Sequence, residues 1–256
     1  MDAKKIAFIA CVNDEELYAE CKKRIESLEI PPGYSIEIQK LVGAKGIPSA
    51  YNQAVQKTDA KYKVYLHQDT FLCNTRMLFQ MLELFQSNPQ IVMLGMVGGT
   101  RLPQSGIWFE DGLHSYGKVR EYRRSAFKPF AKLFGRRLTV QRFIPVFGKY
   151  KPVLVIDGLL MITQYDLPWR EDLYDSFLYY EGPQCLEYIK NGYLVAIPGQ
   201  RDKDIWCIHW GPRTDRTREE HDKMWEGIRK NTKIFVSEYN QFICTGIRNI
   251  LDKYIK

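Results

Sequence analysis

Apolar runs alternate with amphipathic segments over the first hundred residues, and this alternation constrains the fold more than any other feature of the sequence. The run IAFIACV, which ends at Val12, has the length and continuous apolarity of a strand covered on both faces. Asn13 is expected to cap the helix that follows, and the run SIEIQKLV returns to a second strand that ends at Val42. A third strand is expected to end at Leu66 and a fourth to cover residues 91 to 97. This order predicts an α/β fold with a mostly parallel sheet flanked by helices.

The pattern is less regular after Gly99. Residues 98 to 152 are expected to be largely irregular, and a stretch of this length in a compact domain is usually functional or mobile. A helix is expected to end at Asn191 and Gly192. From Thr217 onward the apolar spacing predicts a C-terminal helical tail. Short strands are expected at 153–156, 159–163, 194–197 and 205–208.

The positive charge of the chain is concentrated in one segment. The net charge is +7, yet residues 118 to 151 hold eleven Lys and Arg residues and a single acid, Glu121, so the rest of the chain sums to −3. A nucleic-acid-binding protein that uses this segment is one alternative. Confinement of the charge to one segment instead favours a basic insertion on a nearly neutral enzyme, without a nucleic-acid partner.

The N-terminus and the cysteines bear on localisation. The apolar stretch that ends at Ile9 is too short for a signal peptide, and no later segment is apolar enough to span a bilayer. The six cysteines lie far apart and form no CxxC pair, so a zinc cluster or a dense disulfide framework is not indicated. We therefore expect a cytoplasmic protein.

Within the basic segment, four apolar residues follow helical spacing: Phe127, Phe130, Ala131 and Phe134. Residues 120 to 137 could therefore lie on the inner face of a membrane and bring the protein to a lipid-linked partner. Pro129 interrupts the pattern, and the phenylalanines could equally pack on the domain. The sequence supports both interpretations equally.

Polar residues follow the predicted strands at the ends where ligands bind in open α/β sheets. Asn13 follows the first strand, Gly43 the second and His67-Gln68-Asp69 the third. Mg²⁺ or Mn²⁺ bound to a nucleotide diphosphate needs only one or two protein ligands, because phosphates and waters supply the others. Asp69 is a candidate for such a ligand, although an isolated aspartate here could also cap a helix or a turn.

Several blocks, taken in order, carry a family resemblance. GIPSAYNQA at 46–54, followed by HQD at 67–69, resembles the family 2 glycosyltransferases of GT-A fold. The narrower resemblance is to the branch named for the StrF domain of streptomycin biosynthesis. It is carried by VIDGLLM at 155–161, PWRED at 168–172, GY at 192–193 and WCIH at 206–209.

The resemblance implies transfer of a sugar from a nucleotide-sugar donor, usually a uridine diphosphate sugar, with a divalent metal as cofactor. Asp69 and the downstream His209 would hold manganese or magnesium. His67 stands where many relatives have an acid, which removes one charge from the metal site. The implied nucleotide-sugar-binding residues are Val12, Asn13, Gly43, Ser49, Asn52 and His67. Asn52 could instead form hydrogen bonds between loops.

Inverting transfer needs a base for the acceptor hydroxyl, and a partly desolvated carboxylate suits this role. Glu181 lies where relatives carry an acidic element before a helix, and it is the first candidate. Asp157 is the second candidate. Asp172 and Asp175 are expected to be structural, and Lys45 or Arg101 could assist the leaving diphosphate.

The implied organisation is one GT-A domain at 1–212 with a helical extension at 213–256. The domain would comprise a nucleotide-binding half (1–100), the basic insertion (98–152) and an acceptor and catalytic half (153–212). The acceptor would be a saccharide or a lipid-linked saccharide. A nucleotidyltransferase would need a basic, glycine-rich loop after the first strand, and the sequence there is acidic. A GT-A domain that binds nucleotide sugars without catalysis is a further alternative.

Overall fold

The computed structural model describes residues 1–124, 136–210 and 217–255. Its helices are α1 (Glu15–Glu26), α2 (Ile47–Val55), α3 (Met77–Ser87), α4 (Glu181–Lys190), α5 (Arg218–Glu238) and α6 (Ile247–Tyr254). Its strands are β1 (Asp2–Val12), β2 (Ser35–Val42), β3 (Ala60–Leu66), β4 (Thr70–Leu72), β5 (Ile91–Gly95), β6 (Val97–Gly99), β7 (Ser115–Arg124), β8 (Arg136–Arg142), β9 (Tyr150–Val153), β10 (Val155–Ile156), β11 (Leu160–Thr163), β12 (Leu194–Pro198) and β13 (Cys207–His209).

Seven strands form the main sheet, in the order β2-β1-β3-β11-β5-β12-β9. Strands β2, β1, β3, β5 and β12 run in one direction, whereas β11 and β9 run against them. The expected α/β fold is confirmed, but only half of the neighbouring pairs are parallel because β11 is inserted between β3 and β5. Since β2 and β3 lie on opposite sides of β1, a crevice opens beyond the carboxyl ends of β1 and β3.

A second sheet has the strand order β10-β6-β7-β13-β4, with β8 paired to β7. It shows that the expectation of a largely irregular stretch from 98 to 152 is wrong, because β7, β8 and β9 lie there. The basic residues of β7 and β8 hide the usual strand pattern. The four apolar residues expected to form a helical stripe, Phe127 to Phe134, lie outside the described residues.

The core is built from the inward faces of the first elements. From Ile6 to Ala10, strand β1 is almost completely buried, and α1 buries Tyr18, Cys21 and Ile25. The cap of α1 differs from the expectation, since Asp14 and not Asn13 accepts hydrogen bonds from the backbone N–H groups of Glu16 and Leu17. None of the described helices is long and apolar enough to cross a membrane.

Candidate active site

A first cavity of about 460 Å³ opens beyond the carboxyl ends of β1, β2 and β3. The strand order predicts a ligand site at this edge, because β2 and β3 pair with β1 on opposite sides and the strand order therefore reverses at β1. Four expected nucleotide-sugar-binding residues line the cavity: Val12, Asn13, Gly43 and His67. Asp69 lines it as well, together with residues to which the sequence analysis assigned no binding role: Cys11, Ala44, Ile47, Tyr51, Leu66, Gln68, Phe177 and Tyr180.

Gln68 joins two edges of this cavity. Its Oε1 accepts hydrogen bonds from the backbone N–H groups of Asn13 and Asp14, each at 2.9 Å. Its Nε2 donates to Oδ1 of Asn13. The loop after β1 is therefore fixed to the loop after β3, and the amide of Asn13 is used to shape the cavity.

His67, Asp69 and His209 form a cluster in which one potential ligand atom from each residue lies within 4.8 Å of the others. We call these residues the His–Asp cluster. Strand pairing explains their proximity, because β4 follows directly after Asp69 and pairs with β13, which ends at His209. The backbone N–H of Trp210 donates to the carbonyl oxygen of Asp69 at 2.8 Å and holds the two segments together. The expected pairing of Asp69 with His209 is thus present in the structure.

The electrostatics of the cluster suit a cation. Burial lowers the pKa of His67, which favours the neutral imidazole that binds metals. Burial acts to raise the pKa of Asp69, but the neighbouring His209 and His67 rings hold it below its usual value. Burial also opposes the charged form of His209, yet the carboxylates of Asp69 and Glu121 outweigh it and raise its pKa to about 10. A cation therefore has to displace a proton from His209.

Glu121 is a site residue that sequence reasoning missed. It lies on β7, directly beside His209 in the parallel pairing of β7 with β13. Its Oε1 is 3.6 Å from Nδ1 of His209, and Nε2 of the same ring is 3.6 Å from Oδ2 of Asp69. The only signal in the sequence is that Glu121 is the single acid among eleven basic residues.

A second cavity of about 300 Å³ lies on the other side of the cluster. His209, Glu121 and Asp157 line it, together with six apolar residues: Val97, Trp108, Phe109, Val119, Phe143 and Leu159. Oδ1 of Asp157 accepts from the backbone N–H of Leu159 at 2.9 Å and fixes the turn after β10. The first base candidate, Glu181, lines neither cavity.

Glu181 is buried at the first position of α4. Burial, assisted by the charge of Asp157, raises its pKa to about 8. The preceding Tyr179 has a positive φ of 62°, which is unusual for a residue with a side chain. The Tyr174 hydroxyl donates to the Tyr179 carbonyl oxygen at 2.7 Å, and the Tyr179 hydroxyl donates to the carbonyl oxygen of Gly106. These contacts fix the direction in which Tyr180 and Glu181 leave the loop.

Tyr180 connects that loop to the cluster. Its hydroxyl lies 2.8 Å from Nε2 of His67 and donates to the carbonyl oxygen of Gly158 at 3.2 Å. The ring is buried and lines the first cavity. Sequence reasoning treated Tyr180 only as a neighbour of Glu181, because its contact with His67 depends on the tertiary fold.

Ser49 and Asn52 contact protein groups and do not line the first cavity. The Ser49 hydroxyl donates to Oδ2 of Asp175 at 2.6 Å. Nδ2 of Asn52 donates to the Trp169 carbonyl oxygen and to Oε1 of Glu171, each at 3.0 Å, while its Oδ1 accepts from the Trp169 N–H at 2.8 Å. The alternative of hydrogen bonds between loops is therefore what the structure shows for Asn52.

The expected helpers for the diphosphate are not brought to the first cavity. Lys45 is exposed and Arg101 lies 3.5 Å from Oδ2 of Asp111. Asp172 pairs with Arg170 at 2.8 Å, in agreement with its expected structural role.

Comparison with known proteins decides the family. A sequence profile described as a glycosyltransferase-like family matches residues 7–239. The chain belongs to this glycosyltransferase-like family. The protein is accordingly a glycosyltransferase, and the resemblance found in the sequence motifs is confirmed at this level. No curated protein matches the chain significantly.

Solved structures with the same architecture include the enzyme TarS of S. aureus. The fragment TarS 1-349 in complex with UDP-GlcNAc matches with a TM-score of 0.53 and 10% identity, over 98% of this chain and 71% of that chain. A longer TarS structure matches with a TM-score of 0.52 and 9% identity, over 96% of this chain and 44% of that chain. The mannosyltransferase PcManGT of Pyrobaculum calidifontis, in complex with GDP-Man and Mn²⁺, matches with a TM-score of 0.48 and 8% identity, over 98% of this chain and 79% of that chain. The TarS likenesses confirm that this glycosyltransferase has the GT-A fold.

Proposed function

We propose that this glycosyltransferase moves a sugar from a nucleotide-sugar donor, a uridine diphosphate sugar, to a hydroxyl group of a saccharide or lipid-linked saccharide. The observation that supports this most directly is the position of the His–Asp cluster. Two of its residues line the first cavity and the third lines the second cavity. The donor would occupy the first cavity, and the acceptor hydroxyl would approach from the second.

The cluster fits a divalent metal. Two imidazole rings and one carboxylate are good ligands for Mn²⁺, whereas Mg²⁺ prefers oxygen ligands. We therefore place Mn²⁺ ahead of Mg²⁺, with Asp69 and His209 as ligands and His67 as the third. When bound, the metal would neutralise charge on the leaving diphosphate.

The residues of the second cavity supply the proton acceptor. As the acceptor oxygen bonds to the anomeric carbon, the bond from that carbon to the diphosphate breaks and the hydroxyl proton passes to a carboxylate. Asp157 lines this cavity, whereas Glu181 does not line it and has its pKa raised to about 8. We therefore place Asp157 ahead of Glu181, which was the first candidate from the sequence.

Two finer assignments rest on the sequence motifs. The StrF-domain branch is supported by the ordered blocks from 155 to 209, and inversion is supported by the family 2 resemblance. The division into a nucleotide-binding half at 1–100, a basic insertion at 98–152, a catalytic half at 153–212 and an extension at 213–256 is likewise a proposal. We further propose that residues 120 to 137 contact an anionic membrane surface on its cytoplasmic side, because the basic residues are concentrated there.

Thermal shift with nucleotide diphosphates tests the donor assignment. UDP with Mn²⁺ should raise the melting temperature by mass action, and more than UDP alone, GDP with Mn²⁺ or Mn²⁺ alone. Asp69→Ala should abolish this Mn²⁺-dependent increment and the turnover of UDP-sugars while leaving the fold intact, as judged by circular dichroism. Asp252→Ala, an exposed aspartate on α6, is the matched control. Normal turnover by Asp69→Ala would show that the metal assignment is wrong.

The two base candidates are separated by isosteric substitutions. Asp157→Asn should retain UDP binding and lose transfer. Glu181→Gln should retain both UDP binding and transfer, because a buried carboxyl group that holds its proton resembles an amide. Retained UDP binding with lost transfer in Glu181→Gln would return the role of base to Glu181. A protein that binds UDP-sugars in every variant but never turns them over would be a binding domain without catalysis.

A further inference from the structure

The second cavity has a composition that the transfer reaction alone does not require. Its lining combines three aromatic residues that contact one another, Trp108, Phe109 and Phe143, with Glu121, Asp157 and His209, and we call the two groups the aromatic side and the polar side. At about 300 Å³ it is at the small end of ligand sites, which suits one ring and not a chain of several.

The aromatic side is a fixed platform. The ring of Trp108 is buried, with its centroid 5.5 Å from that of Phe109 and 5.8 Å from that of Phe143, both in edge-on arrangements. Such pairs hold each other in place. An aromatic face of this kind packs against the C–H face of a sugar ring, which is the apolar part of a pyranose.

The polar side offers acceptors for hydroxyl groups. Carboxylates accept hydrogen bonds and donate none when ionised, so Glu121 and Asp157 match the O–H groups on the rim of a pyranose. His209 joins this wall to the first cavity through its 3.6 Å approach to Asp69. A hydroxyl group held here would lie beside the His–Asp cluster, where the proposed function places the leaving group.

The two carboxylates on the polar side of the second cavity select against anionic ligands, even though the surrounding segment of the chain is strongly basic. Side chains alternate across a strand, so Val119 and Glu121 face the second cavity while Lys118 and Arg120 face the opposite way. Nζ of Lys118 lies 3.0 Å from Oδ1 of Asp202, and a guanidinium nitrogen of Arg120 donates to the Asp202 carbonyl oxygen at 2.7 Å. These two cations are therefore directed away from the cavity.

We infer that the second cavity binds an uncharged pyranose ring of the acceptor, with Phe143 as part of the platform and Glu121 as a hydroxyl ligand. This inference rests on the proposed function and names the acceptor class. A ring that carries a carboxylate or a phosphate would face two carboxylates, Glu121 and Asp157, against the single ring of His209, so the polar side keeps a negative net charge that repels it.

Saturation-transfer NMR on the full chain with UDP and Mn²⁺ present tests the inference. The probes are methyl β-glucoside, methyl β-galactoside and methyl β-glucuronide. We expect at least one neutral glycoside to give a signal and the glucuronide to bind about tenfold more weakly than methyl β-glucoside. Phe143→Ala should weaken the neutral glycoside about tenfold relative to the UDP signal in the same sample. Phe143→Leu, which keeps apolar volume but lacks the ring, should weaken it too and serves if Phe143→Ala does not fold.

Phe147→Ala is the matched control, because Phe147 is 86% exposed and lines neither cavity. It should leave glycoside binding unchanged. The inference is overturned if no neutral glycoside gives a signal, if the glucuronide binds equally well, or if both Phe143 variants bind like the wild type. Failure of the proposed function has a different outcome, namely no UDP signal in the wild type.

Discussion

At the scale of single residues, Glu121 and His209 show how the second sheet completes a site that the main sheet begins. Parallel pairing places them side by side, and the ring of His209 lies between two carboxylates. A carboxylate behind a metal-binding histidine orients the ring and increases its basicity. Under the proposed metal assignment, Glu121 would raise the affinity of His209 both for a proton and for a divalent metal, and the doubly charged ion would gain more from the negative charge than a proton does.

Glu121→Gln should therefore weaken Mn²⁺ binding. We expect a dissociation constant about 10- to 100-fold higher than in the wild type, measured from the electron paramagnetic resonance signal of free Mn²⁺. Glu83→Gln, on an exposed face, is the control, since its side chain is 69% exposed. An unchanged dissociation constant in Glu121→Gln would show that Glu121 does not act through the metal site.

Glu181 makes stability depend on pH. Its pKa is raised from 4.5 to about 8, so the folded protein holds a proton that the unfolded chain releases above pH 4.5. The resulting stabilisation is complete below the unfolded pKa and is lost as the pH rises through about 8. Since each pKa unit corresponds to about 1.4 kcal/mol, the loss is on the order of a few kcal/mol.

Urea unfolding at pH 5 and pH 9 tests this effect. Glu181→Gln cannot ionise, so its free energy of unfolding should fall less between the two pH values than that of the wild type, by a few kcal/mol. Glu26→Gln, at an exposed site on α1, should behave like the wild type. Identical pH dependence in Glu181→Gln and the wild type would contradict the buried, protonated state of Glu181.

At the scale of elements, α2 anchors the loop that closes the first cavity. At the start of α2, Gly46 packs closely against this loop: a Cβ there would lie 2.2 Å from a carboxylate oxygen of Asp175. Ser49 and Asn52 continue it through their hydrogen bonds to Asp175 and Trp169. The same loop carries Phe177 and Tyr180 to the first cavity, so α2 shapes that cavity indirectly.

Asn52→Ala distinguishes anchoring from direct contact with the donor. It leaves the N–H and carbonyl groups of Trp169 without their side-chain partner, which should cost about 1 to 3 kcal/mol in the free energy of unfolding, measured with urea. UDP binding should weaken in parallel because the loop is less well held. Gln53→Ala, an exposed neighbour, is the control. Weaker UDP binding with unchanged stability would instead support direct contact of Asn52 with the nucleotide.

The elements also show what sequence could and could not predict. The strand β1 and the helices α1 and α3 follow local periodicity, and most of their apolar residues are buried. The motifs placed Asp69 and His209 in one site, as the structure shows. Strands β7 and β8 escaped prediction because β7 is placed by pairing with distant strands, β6 and β13, and β8 by pairing with β7, while their own composition is strongly basic. The role of Glu121 depends on that pairing and could not be read locally.

At the scale of the whole molecule, charge is divided between a basic segment and a slightly acidic remainder. Residues 118 to 151 carry a net charge of +10 and the rest of the chain −3. In the register of β7 and β8, Arg123 is opposite Arg137 and Arg124 is opposite Arg136. The proposed membrane contact would bring these basic residues to an anionic surface.

Sedimentation with lipid vesicles tests the proposed membrane contact. The protein should pellet with vesicles that contain phosphatidylglycerol and not with pure phosphatidylcholine, and binding should be lost at high salt because each basic residue contributes about 1 kcal/mol of screened attraction. Replacing Arg123 and Arg124 by Gln should weaken binding, whereas replacing the exposed Lys57 and Lys233 by Gln should matter less. Both double variants lose two positive charges, so an equal loss of vesicle binding would show that the basic segment has no specific role.

A nucleic-acid site is the alternative for the basic segment. If duplex RNA or DNA displaced the protein from vesicles and bound it more tightly at the same salt concentration, the basic segment would be a nucleic-acid site.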